Sequence, residues 1–367
     1  MNRSPLPKGV LYLLAALTMG CDHTEPFSTG AFTPEGPFSN AVPRQLTLNL
    51  GTDLFPAWKP DETGLFYSYE RTDSSQRDRC LAELPPEGGT RTLTLCTHAS
   101  FSIDSIDALE RPVVSDSVLV YLSSVGEPFA LTPNHRELLM TRLDDLIHVD
   151  TIQKFPFVSP STRIHDIPVH MAWLGDDALI YVAGRIDYVP PAPFQPPDTV
   201  VTGIEIARID LNGGSPVVGI IPGTSLASSV QPTADATGIY FTLANDSKVY
   251  RMDLATTNVQ VVHDFGVAGI ARDVQVSGNR LVAIVGGDIT FTNDPTLGPI
   301  TRDFGGRLFS VDLTSGQETD ITMPGRLHRN PALSPSGQRL VVETYVDVNP
   351  GSGRPLPSAD LWALEEP

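Results

Sequence analysis

Apolar and polar positions fall into one hairpin unit that recurs along the chain. Its clearest form is NPALSPSGQRLVVE, Asn330 to Glu343: an apolar strand start, a tight Ser-Pro-Ser-Gly turn, and a second strand of aliphatic and β-branched residues. The pattern returns in AWKPDETGLFYSYE from Ala57, AWLGDDALIYVAGR from Ala172, QPTADATGIYFTLA from Gln231 and VQVSGNRLVAIVGG from Val274. Short apolar runs bounded by turn residues predict strands. A second signature follows each hairpin after a variable gap: a short strand ending in Asp-Leu or its like, a Gly-type turn and another strand. Examples are IARIDLNGGSPVVGI from Ile206 and LFSVDLTSGQETDIT from Leu308.

Four strands per unit, repeating every 40 to 60 residues or so, predict the blades of a β-propeller. The blades are placed at 52–97, 98–160, 161–222, 223–265, 266–323 and 324–367. The last is one strand short, since ADLWALEEP supplies its third strand and the sequence stops. Arg44 to Leu50, RQLTLNL, alternates as a strand should. Pairing it with the last blade closes the ring and hides the exposed edges. The expected fold is therefore all-β, a six-bladed propeller with four-stranded blades, with five or seven blades as alternatives. Trp58, Trp173 and Trp362 read as packing between sheets.

Composition agrees with this picture. The chain has 41% hydrophobic and 19% charged residues, enough for a sizeable core, while 30 Gly and 33 Pro imply many turns. No stretch of helical period stands out after residue 20. The net charge is −18, and removing Arg3 and Lys8 with a leader makes it more negative. Such a surface repels phosphate backbones, and no basic stripe offsets it, so nucleic acid is excluded as a partner.

Residues 1–20 read as an export signal, with basic Arg3 and Lys8 before an apolar run from Val10 to Leu17 that is too short to span a bilayer. Thr18-Met19-Gly20-Cys21 resembles a bacterial lipobox, which implies lipidation of Cys21 and a membrane contact through that anchor alone; an ordinary secretory signal is the alternative. Residues 21–43 then form the lipidated Cys and a flexible tether rich in Pro, Ser, Thr and Gly, reaching roughly 70 Å when extended. The propeller is assigned to 44–367. Cys80 and Cys96 flank a hairpin whose midpoint is Gly88, so they face each other across two strands. In an oxidising compartment a disulfide is expected, with two unpaired thiols as the alternative.

The pattern Pro-Ala-x-Ser-Pro-x-Gly-x-x-Leu, followed by x-x-Leu-x-x-x-Asp-Leu-x-x-Gly, resembles the TolB-like propeller repeat over residues 44–367. SPSGQRL and DLWAL in blade six and KPDETGLFYS in blade one match best, and VVSDSVLVYL in blade two matches least. The resemblance implies a propeller of the bacterial cell envelope, on the periplasmic side or the cell surface. TolB carries a small α/β domain before its propeller where this chain has the tether, and the functions of such partner domains are not carried over.

Within a blade, the first-to-second and third-to-fourth turns lie on one face, and here they are uniformly tight. The second-to-third connections lie on the other face and read as long and irregular: Arg71 to Arg79, Ser124 to His135, Asp187 to Gly203, Asp288 to Gly306 and Asp347 to Ser358. Only Ala244 to Ser247 is short. Long loops on a rigid scaffold are where binding residues concentrate. Phe129, Tyr188, Phe194, Phe291 and Leu356 are their apolar tips and the candidates for protein binding, unless they fold back over the rim. The tight-turn face reads as plain.

Aligning the inner strands on Trp58, Trp173 and Leu333 puts Asp53, Pro168 and His328 in one layer, with Phe55, His170 and Asn330 two residues deeper and Arg272 and Asp273 nearby. Asp53, His170, Asp273 and His328 are candidate ligands at the channel mouth for a cation or a small polar molecule; a polar lining of a water-filled channel is the alternative. No cofactor is expected beyond such a cation, and no metal site is defined by the histidine spacing. Catalytic motifs are absent: no Gly-x-Ser-x-Gly, His-Glu-x-x-His, Gly-x-x-x-x-Gly-Lys or Gly-x-Gly-x-x-Gly. The reading is a monomeric, non-enzymatic envelope lipoprotein that docks another envelope protein or peptide. The alternative is a propeller lyase or lactonase-type hydrolase with a metal at the channel mouth.

Overall fold

The run LFYSY shows how these strands are used. Leu65, Tyr67 and Tyr69 pack into a core shared with Ala332, Val341 and Leu361 of the last blade, while Phe66 packs with Leu109, Leu119 and Tyr121 of the next. LIYVA does the same two blades on: Leu179, Tyr181 and Ala183 face one neighbour, and Ile180 and Val182 the other. A strand whose two faces are both covered reads as a continuous apolar run rather than an alternating one. That is the arrangement of sheets stacked face to face around a ring.

The computed structural model describes residues 41–48, 52–70, 79–96, 108–126, 133–156, 163–189, 198–211, 217–286, 289–294, 298–303, 305–346 and 359–365. The described residues all lie in one compact unit, Pro34–Pro367. They build six four-stranded antiparallel blades. From the inside outward, blade one is Asp53–Trp58, Leu65–Glu70, Arg79–Leu84 and Thr92–Leu95. Blade two is Ala108–Val114, Val118–Gly126, Pro133–Arg142 and Asp145–Pro156; blade three is Arg163–Leu174, Ala178–Val189, Asp198–Asp210 and Val217–Ile220. Blade four is Ala227–Pro232, Gly238–Leu243, Lys248–Asp253 and Val259–Asp264; blade five is Ala271–Ser277, Arg280–Val285, Arg307–Asp312 and Glu318–Asp320. Blade six is Arg326–Leu333, Arg339–Val346 and Asp360–Glu365, and its outer strand is Arg44–Gln45 from the other end of the chain. Among the described residues the one helical turn is Gly266–Ala268.

The ring closes as the sequence predicts. Arg44 pairs with Ala363 and Gln45 with Trp362, antiparallel. The pairing runs on past the strand: Leu46 N–H donates to Leu361 O at 2.8 Å, and Thr47 Oγ1 accepts the Leu361 N–H at 2.9 Å. Ala41 and Leu46 are buried, so packing begins a few residues before Arg44. Cys80 and Cys96 are joined in a disulfide, with Cα atoms 4.4 Å apart.

The tight first-to-second turns share one geometry. Gly337 of the Ser-Pro-Ser-Gly turn is left-handed, with φ 72°, and its equivalents Ala236 and Glu62 adopt φ 54° and 58° although neither is glycine. The turn is thus dictated by the blade and not by the residue, at a cost of about 1 kcal/mol per non-glycine position.

The second-to-third connections differ from the expectation of irregular loops. In blade three the two strands stay paired out to Val189 and Asp198, and in blade two to Gly126 and Pro133. Blade five inserts a separate hairpin, Ile289–Asp294 with Gly298–Asp303. Runs such as DTVVTG and ITFT are β-branched and alternate, so they extend the sheets rather than coil. Of the loop tips named from sequence, Phe129, Phe194 and Leu356 lie outside the described residues, as does Cys21. The backbones of Tyr188 and Phe291 pair with Thr199 and Thr301 in these hairpins, and their side chains too lie outside the described residues.

Candidate functional site

Each inner strand carries a bulge on its way across the ring. The register jumps between Leu54 and Ala57, Glu110 and Val113, Pro168 and His170, Ala227 and Ser229, Arg272 and Gln275, and Arg329 and Ala332. The equivalent residues in blade order are Phe55, Arg111, His170, Ser229, Asp273 and Asn330. Four of them hold a left-handed backbone: Phe55 φ 54°, Arg111 54°, Asp273 48° and Asn330 43°. Left-handed non-glycine residues recurring at one depth are strain that the surrounding sheets must impose, and such strain gathers at sites with a task.

One task is visible. The bulge presents main-chain N–H groups sideways, and the neighbouring blade accepts them. His170 Nδ1 accepts the Val230 N–H at 3.4 Å, Ser229 Oγ that of Val274 at 3.1 Å, and Asp273 Oδ2 that of Asn330 at 3.2 Å. Glu343 Oε1 accepts the N–H of Phe55 and the Nδ2–H of Asn330, both at 2.6 Å. Between blades one and two the link is different: the Arg111 guanidinium lies 4.3 Å from the centre of the Phe55 ring, a cation–π stack. A belt of side chain to main-chain bonds therefore runs from blade three through blade six to blade one, and the Arg111 stack extends it to blade two.

Electrostatics sort these groups. Burial drags the His170 imidazole down to about 4, with Arg111 adding to the fall and Asp273 opposing it. The ring is neutral, and because Nδ1 is the acceptor it carries its proton on Nε2. Burial lowers Arg111 to about 10, opposed first by Glu110, and it stays charged at neutral pH. Burial pushes Glu343 above the usual carboxylate range. For Glu110 burial pushes upward too, but Arg79, Arg136 and Arg111 together hold it below its ordinary value; it pairs with Arg79 and, at 3.7 Å, with Arg136.

Phe55, Arg111, His170 and Asn330 line the floor of a cavity of about 1170 Å3. Its walls include Trp58, Trp173, Gln231 and Gln275, and it runs to Pro60, Asp176, Asp235 and Pro335. Those are residues of the tight first-to-second turns, and all four are exposed. The face read as plain therefore carries a deep axial funnel, and the Ser-Pro-Ser-Gly hairpin is part of its wall. Trp173 lines this funnel in addition to packing between sheets.

The residues singled out from sequence separate accordingly. Asp53 and His328 are fully buried. Asp53 N–H donates to Ala359 O at 2.9 Å. His328 has both nitrogens engaged: Nε2 accepts the Met323 N–H at 3.1 Å, and Nδ1 meets Thr344 Oγ1 at 3.2 Å. His170 and Asp273 belong to the belt. Among the described residues no three His, Cys, Asp or Glu side chains come together as they would around a cation. Arg111 was not legible as a site residue, because blade two matches the repeat least and offers no tryptophan to set its register. Its neighbour Pro112, standing where Pro56 and Pro331 stand, is the signal that would have aligned it.

No protein-family model and no curated protein matches the chain in sequence. Among solved structures it is similar to the gluconolactonase XC5397 from Xanthomonas campestris, at 14% identity over 93% of each chain and a TM-score of 0.52. It is also similar to TolB from Acinetobacter baumannii, at 13% identity, 86% coverage of this chain and a TM-score of 0.48. A third is an oligogalacturonate lyase in complex with manganese, at 14% identity, coverage of 92% and 96%, and a TM-score of 0.49. The likeness is one of fold: a six-bladed propeller, as the TolB-like repeat implies. This chain spans 64% of the length of that TolB chain.

Proposed function

We propose that the protein is a non-enzymatic binding scaffold of the bacterial cell envelope, exported, held by a lipid on Cys21, and docking another envelope protein through the face that carries its second-to-third connections. One observation carries the reading. Three blades extend those connections as paired hairpins, and strand Gly298–Asp303 of blade five lies against strand Asp198–Asp210 of blade three. The two reach past blade four, whose own connection is short. Paired strands are pre-ordered, so a partner binding them loses less entropy than one that must order coil. The test is capture of the partner by crosslinking from native envelopes, with the full chain and with a variant whose blade-three hairpin is trimmed between Asp187 and Gly203. Capture should be lost on trimming; persistence, with loss on altering the tight turns instead, overturns the assignment.

The second reading, a lyase or lactonase-type hydrolase with a metal at the channel mouth, draws on the likeness in fold to the Xanthomonas gluconolactonase. It needs a ligand set that the described residues do not bring together. Metal analysis of the purified protein separates the two: stoichiometric metal that is lost in a His170→Ala, His328→Ala double variant favours the enzyme.

A further inference from the structure

The axial funnel lies on the opposite face from the proposed docking hairpins, and its floor has a feature that the belt does not use. Among the described residues no hydrogen-bond acceptor engages the Arg111 guanidinium, which stacks on the Phe55 ring and feels the Glu110 and Asp273 carboxylates only through space. Its neighbour Glu110 is already engaged by Arg79 and Arg136. His170 spends Nδ1 on Val230, which leaves its Nε2–H for the cavity. The floor thus offers two donors side by side, the Arg111 guanidinium and the His170 Nε2–H, with the Asp273 carboxylate near enough to act on both. An Arg fork held flat by an aromatic ring is a bidentate seat for a carboxylate.

The mouth has the opposite polarity. Asp176 and Asp235 stand exposed at the rim, and Asp235 is held at about 2 by hydrogen bonds, first that from Thr233 and then those from Thr237, so it is ionised. Between floor and rim the wall carries the amides Gln231 and Gln275 on the adjacent blades four and five, and the apolar surfaces of Trp58 and Trp173 on blades one and three. From Phe55 to Trp58, where the strand ends, it advances roughly 10 Å, the length of roughly three extended residues.

We propose that this funnel binds the C-terminal tail of a peptide or protein, entering carboxylate first. The terminal carboxylate sits on Arg111, the tail's amides meet Gln231 and Gln275, and a basic residue three or so positions upstream meets the acidic rim. A sugar acid would satisfy the floor but has no cation for the rim. This site is separate from the hairpin face, and neither depends on the other.

The probes are acetyl-Lys-Ala-Ala-Ala as the free acid, the same peptide as its C-terminal amide, and glucuronate, titrated into the full chain by calorimetry and by the fluorescence of Trp58 and Trp173. The free acid should bind, the amide should bind roughly 10- to 100-fold more weakly, and Arg111→Gln should lose a similar factor for the acid while leaving the amide unchanged. Because Arg111→Gln alters a buried position, the wild-type chain supplies a second readout. The free acid, and not the amide, should protect Arg111 from phenylglyoxal, as seen by mass spectrometry of its peptide. Equal binding of acid and amide overturns the proposal, as does no binding of either, or Arg111 modification that the acid does not slow. Glucuronate binding with the same Arg111 dependence, where the peptide acid fails, overturns the assignment to a chain terminus.

Discussion

Glu343 Oε1 of blade six accepts the main-chain N–H of Phe55 in blade one at 2.6 Å. The two residues are 288 positions apart, and the bond joins the last blade of the ring to the first at the depth of the bulge. The same carboxylate takes Asn330 Nδ2–H on Oε1 and the Tyr345 hydroxyl on Oε2, at 3.1 Å. Removing it takes the acceptor from the Phe55 N–H and the Asn330 amide and one bond from the Tyr345 hydroxyl. Glu343→Ala should therefore destabilise the protein by about 3 kcal/mol, and Glu343→Gln, which keeps one carbonyl oxygen, by about 1 kcal/mol. Urea unfolding of the two variants measures the difference.

Much of this ring was readable from the repeated hairpin alone. The blade boundaries, the closure by residues near Arg44, and the layer shared by Phe55, His170 and Asn330 follow from a register that Trp58 and Trp173 fix. What the repeat could not carry was the bulge. It adds one residue to a strand without changing the residue types, and so leaves no mark in an apolar pattern. The bulge sets which side chains enter the funnel, and through it Arg111 and Asp273 become part of one layer. The hairpins of blades three and five were hidden for another reason: their prolines and glycines read as coil, whereas the β-branched residues beside them decide the backbone.

Closure by the N-terminal strand gives a second prediction. Arg44 and Glu365 form an ion pair at 2.8 Å with both side chains about a third exposed, so Arg44→Ala should cost less than about 1 kcal/mol. Deleting the chain through Leu48 should do much more. It strips the edge of Asp360–Glu365 and uncovers Trp362, and an uncovered edge is a template for pairing. Light scattering after size exclusion should show larger species for the deletion and a single size for the point variant.

The disulfide stands in blade one, where Cys80 is fully buried in the core with Trp58 and Tyr67. Its cysteines are 16 residues apart, a loop whose closure stabilises by about 3 kcal/mol on the chain-entropy account. Thermal unfolding with and without reductant should differ by that much, and a Cys80→Ala, Cys96→Ala double variant should be insensitive to reductant.

Stability should also fall in mild acid. Burial lowers His328 to about 3, and His170 to about 4, from an ordinary 6.5. Both are neutral in the fold, while in the unfolded chain they take up protons below pH 6.5. Their contribution is complete above pH 6.5 and is lost as pH falls toward 4 and then 3. Each costs about 1.4 kcal/mol per pH unit within its window. Glu343, whose folded value is raised, acts in the opposite direction, because its fold binds a proton the unfolded chain has given up. Comparing urea unfolding at pH 7 and pH 5 for the wild type and His328→Gln isolates one histidine: the variant should show a shallower loss, by about one proton's slope.

The docking face is tested most directly by photo-crosslinking in the native envelope, with a photoreactive side chain placed at position 199 or 301 in the paired hairpins and, as a control, at position 147 on the outer strand of blade two. Protein adducts should form from 199 and 301 and not from 147. Absence of adducts at both hairpin positions, in protein that is exported and folded, would contradict the account.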